Sequence, residues 1–224
     1  TFKDRILVKE AMNLNSVGGI VRLVKSVLLM TLCFEGTGVI LNFIVFSQDY
    51  APLHALWISI FHAIAAFNNS GYDILGGFRN LIPYQNNVLL NLTTTGLIIF
   101  GGLGFLVIRE MISKRRFRKF SLHTKVVLTM TAILLASGTV LLKATENISW
   151  LGAFFFSTSA RTAGFSTYQL GEFSNAGLFL LIILMFIGAS PGSTGGGIKT
   201  TTAFAMLKSA YSMATNKQDR KSVV

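Results

Sequence analysis

Cysteine occurs once in 224 residues, as Cys33 inside an apolar segment. An intrachain disulfide is therefore excluded, and the expected role of Cys33 is that of a small buried apolar residue. Histidine occurs three times, as His54, His62 and His123, without the spacing of metal ligands. No Ser/His/Asp grouping has a cleft-like setting, so nothing points to an enzyme. A basic leader, short apolar run and small-residue cleavage site are not found together, so no secretory signal is expected. Acidic residues are scarce, nine against twenty Lys and Arg, for a formal net charge of +11.

That charge would suit nucleic acid, but its placement does not. Lys3, Arg5, Lys9, Arg22 and Lys25 lie near the start, seven basic residues fall between Arg109 and Lys125, and four between Lys208 and Lys221. The linker Lys114 to Lys119 is too short and plain for base readout. Basic clusters separated by pairs of apolar segments instead fit the positive-inside rule, with both ends and the middle linker in the cytoplasm. What the chain does have is apolar mass: 51% hydrophobic residues and a mean hydropathy of +0.58. That exceeds what one soluble core can hide, and a bilayer removes the difficulty by making the solvent apolar.

Residues 1–21 read as a cytoplasmic amphipathic segment, with Ile6, Leu7, Met12 and Leu14 on one face. Arg22 to Phe46 is long enough to cross a bilayer, and carries one interior charge, Glu35. Pro52 is placed to start the next helix. Leu53 to Phe67 is apolar but covers only about 22 Å at 1.5 Å per residue, short of a hydrocarbon core of ~30 Å. A short apolar helix followed at once by Asn68-Asn69-Ser70-Gly71 predicts a re-entrant segment, entering and leaving on one side. Trp57 would anchor it at the interface. Val88 to Met111 follows, interrupted at Gly101-Gly102-Leu103-Gly104 after Thr93-Thr94-Thr95-Gly96.

The pattern then repeats. Lys125 to Leu142 spans, Trp150 to Ala160 is short, Arg161 to Thr167 is a loop, and the apolar run from Phe173 breaks at Pro191 to Gly197. One offset of 93 residues relates Trp57 to Trp150, Phe61 to Phe154, Gly71 to Gly164, Tyr72 to Phe165, Gly102 to Gly195 and Gly104 to Gly197. Internal duplication of this kind decides architecture. The expected fold is all-α and membrane-spanning, with two tandem helix–pore helix–helix units. Residues 22–112 form the first unit, 113–120 a basic cytoplasmic linker, 121–213 the second unit and 214–224 a tail.

The loops Asn69-Ser70-Gly71-Tyr72 and Thr162-Ala163-Gly164-Phe165 resemble the Thr-Val-Gly-Tyr-Gly filter of potassium channels. A central Gly lets extended backbone aim successive carbonyls at a dehydrated cation, and Tyr72 and Phe165 would brace the loops from outside. An ordinary outer turn is the plainer alternative for each. With Pro191-Gly192-Ser193-Thr194-Gly195-Gly196-Gly197-Ile198-Lys199, these loops make the chain similar to the pore subunits of the bacterial Ktr/Trk/HKT potassium transporters, the Ktr type above all. The resemblance implies four such units in one polypeptide, of which this chain supplies units three and four and lacks the first half. It implies K+ as the transported ion, a homodimer, and a cytoplasmic ring of nucleotide-binding RCK subunits on the basic inner face, where anionic lipid would bind equally well. It also implies an intramembrane gate in the third unit's last helix, matched here by Thr95, Gly96, Gly101, Gly102 and Gly104.

For Gly192 to Gly197, gating and close packing both stand open. That run is not a phosphate loop, because Ile198 separates Gly197 from Lys199 and no strand precedes. Lys199 matches the family's basic residue facing the ion path, with a snorkelling lysine as the alternative. Glu35 and Arg161 are expected to pair behind the filter, since lone intramembrane charges are costly. The expected function is passive, selective K+ uptake across the bacterial cell membrane. A coupled Na+/K+ secondary transporter and a non-transporting membrane scaffold are the rivals.

Overall fold

A computed structural model describes residues 20–77 and 79–215. The expected amphipathic segment, Lys3, Arg5, Lys9 and most of the basic tail lie outside the described residues. Eight α-helices occur among them: α1 Ile20–Phe46, α2 Pro52–Phe67, α3 Val88–Leu103, α4 Phe105–Lys114, α5 Leu122–Thr145, α6 Trp150–Thr162, α7 Asn175–Phe186 and α8 Thr200–Ala214. No β-strand is described; a single parallel bridge joins Ile187 and Ile198.

Local chemistry sets the helix starts. Pro52 occupies the first turn of α2, where its missing N–H costs nothing. Asn87, Ser121, Ser149 and Ser174 cap α3, α5, α6 and α7, each side-chain oxygen accepting from the N–H three residues on. Helix α1 has 27 residues and α5 has 24, so at 1.5 Å per residue they run about 40 and 36 Å, enough to cross a ~30 Å hydrocarbon core. Helix α2 has 16 residues and α7 has 12, both too short to cross alone.

Lipid-facing surface is plain on these helices. Leu29, Leu32 and Ile40 of α1, Ile133 and Val140 of α5, and Phe179, Ile182 and Phe186 of α7 are all exposed. In water such a surface would be an aggregation hazard; against acyl chains it is ordinary solvent contact. Cys33 lies on this exposed face of α1, not in the interior expected of it. Trp57 and Trp150 are also exposed.

Helix α1 packs chiefly on α2, and α5 chiefly on α6, while α3 touches α1, α2 and α6. The two halves share one apolar core. Phe155, Ala163 and Phe165 of the second half are buried in the same cluster as Phe46, Ile58, Phe67 and Leu90 of the first. With lipid as the competitor, close packing rather than the hydrophobic effect holds such an interface.

The two broken helices differ from the expected form. Helix α3 runs unbroken through Thr95, Gly96, Gly101 and Gly102 to Leu103, so no loop interrupts residues 95–103. The threonine hydroxyls are satisfied within the helix packing: Thr95 donates to Asn91 O at 2.8 Å and Thr94 bonds His62 at 2.8 Å. The chain turns only at Gly104, where φ is 87° and the axes of α3 and α4 meet at 97°. In the second half the break is long, from Ile187 to Lys199. Helix α6 also extends past Ala160 through Thr162, so Arg161 and Thr162 belong to a helical turn and not to the loop after it.

Candidate functional site

The loops that follow α2 and α6 meet. Helix α2 ends in a tight reversal: Asn68 N–H donates to Ile64 O at 3.0 Å, Ser70 N–H to Ala65 O at 3.0 Å, and Asn69 adopts φ 53°. Gly71 then takes φ 73°. A Cβ at Gly71 would land on the Ala163 carbonyl oxygen, so the loops touch backbone to backbone. Gly164 also needs its glycine, for a different reason: φ is 93°, although the space around it is open. Its N–H donates to Ser159 O at 3.0 Å, and the Ser159 hydroxyl donates to Phe165 O at 2.7 Å.

Outer-loop residues clamp the pair from one side. Asn80 Oδ1 accepts from Ser166 N–H at 3.1 Å, while Asn80 Nδ2 donates to Asp73 Oδ2 at 3.2 Å. Leu81 N–H reaches Ser166 O at 3.0 Å. One side chain thus ties the first loop to the second. Sequence reading missed Asn80; the only signal was an Asn beside a Gly-rich turn, where its φ of 48° is tolerated. In the same outer region Tyr84 donates to Asp49 at 2.8 Å. Burial, and then that carboxylate, raise the Tyr84 phenol above its ordinary range.

The two aromatics diverge. Phe165 is 2% exposed and stands edge-on to His62 at 5.0 Å, and His62 bonds Thr94 at 2.8 Å. Tyr72 is 71% exposed, beside an apolar groove of 360 Å³ lined by Trp57, Ile60, Phe61 and Ile64. Only Phe165 is packed as a brace within the described residues.

The long break of the second half packs against the ends of α2 and α6 and against the glycines of α3. The Thr194 hydroxyl donates to Phe67 O at 2.9 Å and its N–H to Gly101 O at 3.2 Å. Ser190 N–H donates to Gly102 O at 3.0 Å, and Phe105 N–H to Gly192 O at 3.3 Å. Glycine admits both the end of α2 and this segment. A Cβ at Gly101 would overlap the Phe67 carbonyl oxygen, and one at Gly104 would come within 2.9 Å of Pro191 O. Gly195 lies against the Asn69 amide and the Thr162 methyl, each 3.0 Å from where its Cβ would stand. The Asn69 amide itself sits 3.3 Å from Thr194 Oγ1. Turned so that its donors are satisfied, its nitrogen reaches Ile98 O at 3.2 Å and Ala66 O at 3.3 Å.

The expected charge pair does not form. Glu35 accepts from Asn68 Nδ2 at 3.1 Å. Arg161 donates from Nη2 to Gly188 O at 2.9 Å and from Nε to Ile187 O at 3.4 Å. Both charges have found polar partners at hand, which removes the need for each other. Lys199 caps the start of α8 and its Nζ donates to Gly195 O at 2.8 Å, inside the break. Among the described residues no three His, Cys, Asp or Glu side chains gather as a metal site would need.

Residues 8–224 match the family model described as TrkH, cation transport protein. The potassium/sodium uptake protein NtpJ of Enterococcus hirae is 37% identical, over 97% of this chain and 50% of its own length. The Ktr system potassium uptake protein B of Bacillus subtilis is 36% identical, over 97% of this chain and 51% of its own. The crystal structure of the potassium transporter TrkH from Vibrio parahaemolyticus superposes with a TM-score of 0.72 at 16% identity, covering 96% of this chain and 47% of that one. The chain spans about half the length of the curated relatives it matches. It belongs to the TrkH family of cation transport proteins.

Proposed function

We propose that this chain forms two adjacent quarters of a K+-conducting pore, and that the complete protein takes up K+ across the plasma membrane. The observation that carries this reading is the backbone contact at Gly71 and Ala163. Two glycine-bearing loops, each following an apolar helix too short to cross a bilayer, bring their carbonyl-rich backbones side by side. Oxygens so placed replace a cation's hydration shell, and Asn69, Ser70, Gly71 and Tyr72 with Thr162, Ala163, Gly164 and Phe165 form the two filter segments. Each helix–pore helix–helix unit then has its short helix dipping in and out of one membrane face, which keeps non-helical backbone surrounded by protein.

The other two quarters belong to a longer chain. Positions related by 93 residues support this. Ala163 and Phe165 are buried against the first half, while their counterparts Ser70 and Tyr72 are exposed. A further unit seated on α2 would bury Tyr72 as Phe165 is buried now.

The gate is the 187–199 segment rather than residues 95–103. It packs on Asn69 and Thr162 beside both loops, is tied to α2 and α3 through hydrogen bonds of Ser190 and Thr194, and carries Lys199. Gly101, Gly102 and Gly104 are its docking surface. Na+ is the second ion to consider, because a relative's name includes sodium and both filter loops depart from the five-residue channel pattern. A second copy and an RCK-type ring are the partners the family resemblance implies. The exposed Arg115, Arg116, Arg118 and Lys119 place a basic face on the proposed cytoplasmic side, where both termini also lie.

Flux of K+ and Na+ into liposomes holding the full-length protein, wild type beside Gly164→Ser, tests the reading. Wild-type preference for K+ that the variant loses is the expected result. A variant that keeps rate and preference reduces Gly164 to a turn residue and removes the pore reading.

A further inference from the structure

Arg161 is a cation with 9% of its surface exposed and no carboxylate in ion-pair range among the described residues. Its guanidinium instead spans two successive carbonyls, Ile187 O and Gly188 O, at the point where α7 has just ended. Both residues follow the last helical residue, Phe186, so their carbonyls have no partner within the helix, and buried away from water they need a donor from elsewhere. A planar fork of N–H groups suits two neighbouring oxygens, where a lysine would offer one point charge. Beside the guanidinium lies a cavity of about 20 Å³, bordered by Thr131, Thr158 and Gly102, with room for one water on its remaining N–H groups.

Comparison with the first half isolates what Arg161 goes with. The position 93 residues earlier is Asn68, whose side chain turns to Glu35 and to its own helix at Ile64 O. There the matching helix is broken by Gly104 alone, and no long segment needs holding. The cation occurs in the half that has the 13-residue break. We propose that Arg161 is a latch: a positioning residue that holds residues 187–188 and so keeps the 187–199 segment packed beside the filter loops. The link from latch to ion flow rests on the gate reading above; the link from Arg161 to the segment does not.

The test uses the full-length transporter in liposomes, with Cys33 replaced by Ala and any other thiols removed. Ser190→Cys then reports the segment's position, since Ser190 is fully buried within it. Labelling by a water-soluble maleimide and K+ flux are followed in parallel for Arg161, Arg161→Lys and Arg161→Gln. Loss of charge-assisted hydrogen bonds to both carbonyls should raise the labelling rate about tenfold or more in the Gln variant. The Lys variant should fall between, because one ammonium cannot span both oxygens. Raised labelling together with raised flux in the resting state supports both latch and gate. Raised labelling with unchanged flux supports the latch and overturns the gate reading. Labelling at the wild-type rate in folded, monodisperse Gln variant overturns the latch. If the Gln variant yields no folded protein, wild-type labelling in the Lys variant does so.

Discussion

The two halves of this chain carry the same helix order and the same 93-residue register, yet they use it differently. In the second half the loop after the short helix α6 is fully dressed: Phe165 is buried on His62, and Ala163 abuts Gly71. In the first half the equivalent Tyr72 stands open. The breaks differ in the opposite sense. The first is one glycine and a 97° turn; the second is a segment of a dozen residues that folds back onto the first. A duplicated sequence thus supplies equivalent positions, and the neighbours of each copy decide which are filled. One half's glycines serve as the seat for the other half's loop.

The largest expected effect separates Gly71 from Gly164. Gly71→Ala suffers both a left-handed φ and overlap with the Ala163 carbonyl, so it should abolish flux and reduce the yield of folded protein. Gly164→Ala meets only the dihedral cost of about 1–2 kcal/mol and should fold while losing K+ preference. Expression, thermal stability and K+/Na+ flux of the two variants side by side measure the difference. Equal behaviour would mean the loops do not touch.

Phe165→Ala and Tyr72→Ala come next. Removing the buried Phe165 ring should cost about 3–5 kcal/mol of stability. If a further unit covers Tyr72 in the complete protein, its removal there should cost a similar amount, read from melting temperatures in detergent. A near-silent Tyr72→Ala in the full-length transporter would break the proposed equivalence of the halves.

A third contrast lies within α3. Gly101→Ala should push α3 off the end of α2, because its Cβ strikes the Phe67 carbonyl, and should also disturb docking of the 187–199 segment, whose Thr194 hydroxyl lies 2.9 Å from that Cβ. Gly96→Ala meets nothing within 4 Å and should gain up to about 1 kcal/mol from better helix propensity, with gating intact. Gating lost in Gly96→Ala would restore the hinge that the sequence pattern had placed there. The smallest effect is expected for Thr194→Val, which removes one hydrogen bond to Phe67 O, worth about 0.5–1.5 kcal/mol. It should raise the resting leak modestly without altering selectivity.

Much of the helix order was legible in the sequence, because it rests on length, apolar runs and a repeat. Pro52 marked a helix start to the residue, and the lengths of Leu53–Phe67 and Trp150–Ala160 set those helices apart from the spans on each side. What sequence could not show was which job each glycine does. Gly101 and Gly102 form a run that reads as a break, yet α3 stays helical there, and the missing side chain of Gly101 makes room for the Phe67 carbonyl and the Thr194 hydroxyl. The Glu35–Arg161 pair failed for a related reason. Counting charges says each needs a partner, but only geometry shows that Asn68 and the Ile187 and Gly188 carbonyls stand closer. Cys33 was assigned inward because it is small, although a lipid-facing helix exposes such residues freely. Asn80 was invisible because its role depends on two loops meeting.

The central claim is that the loops at Gly71 and Gly164 offer their carbonyls to one cation. A crystal structure of the full-length protein soaked in Rb+ or Tl+ tests it most directly, through anomalous scattering. The expected result is a peak between the two loops, within coordination distance of backbone oxygens from both 69–72 and 162–165. Well-ordered loops with no such peak, or a cation bound elsewhere along the conduction path and none here, would contradict it.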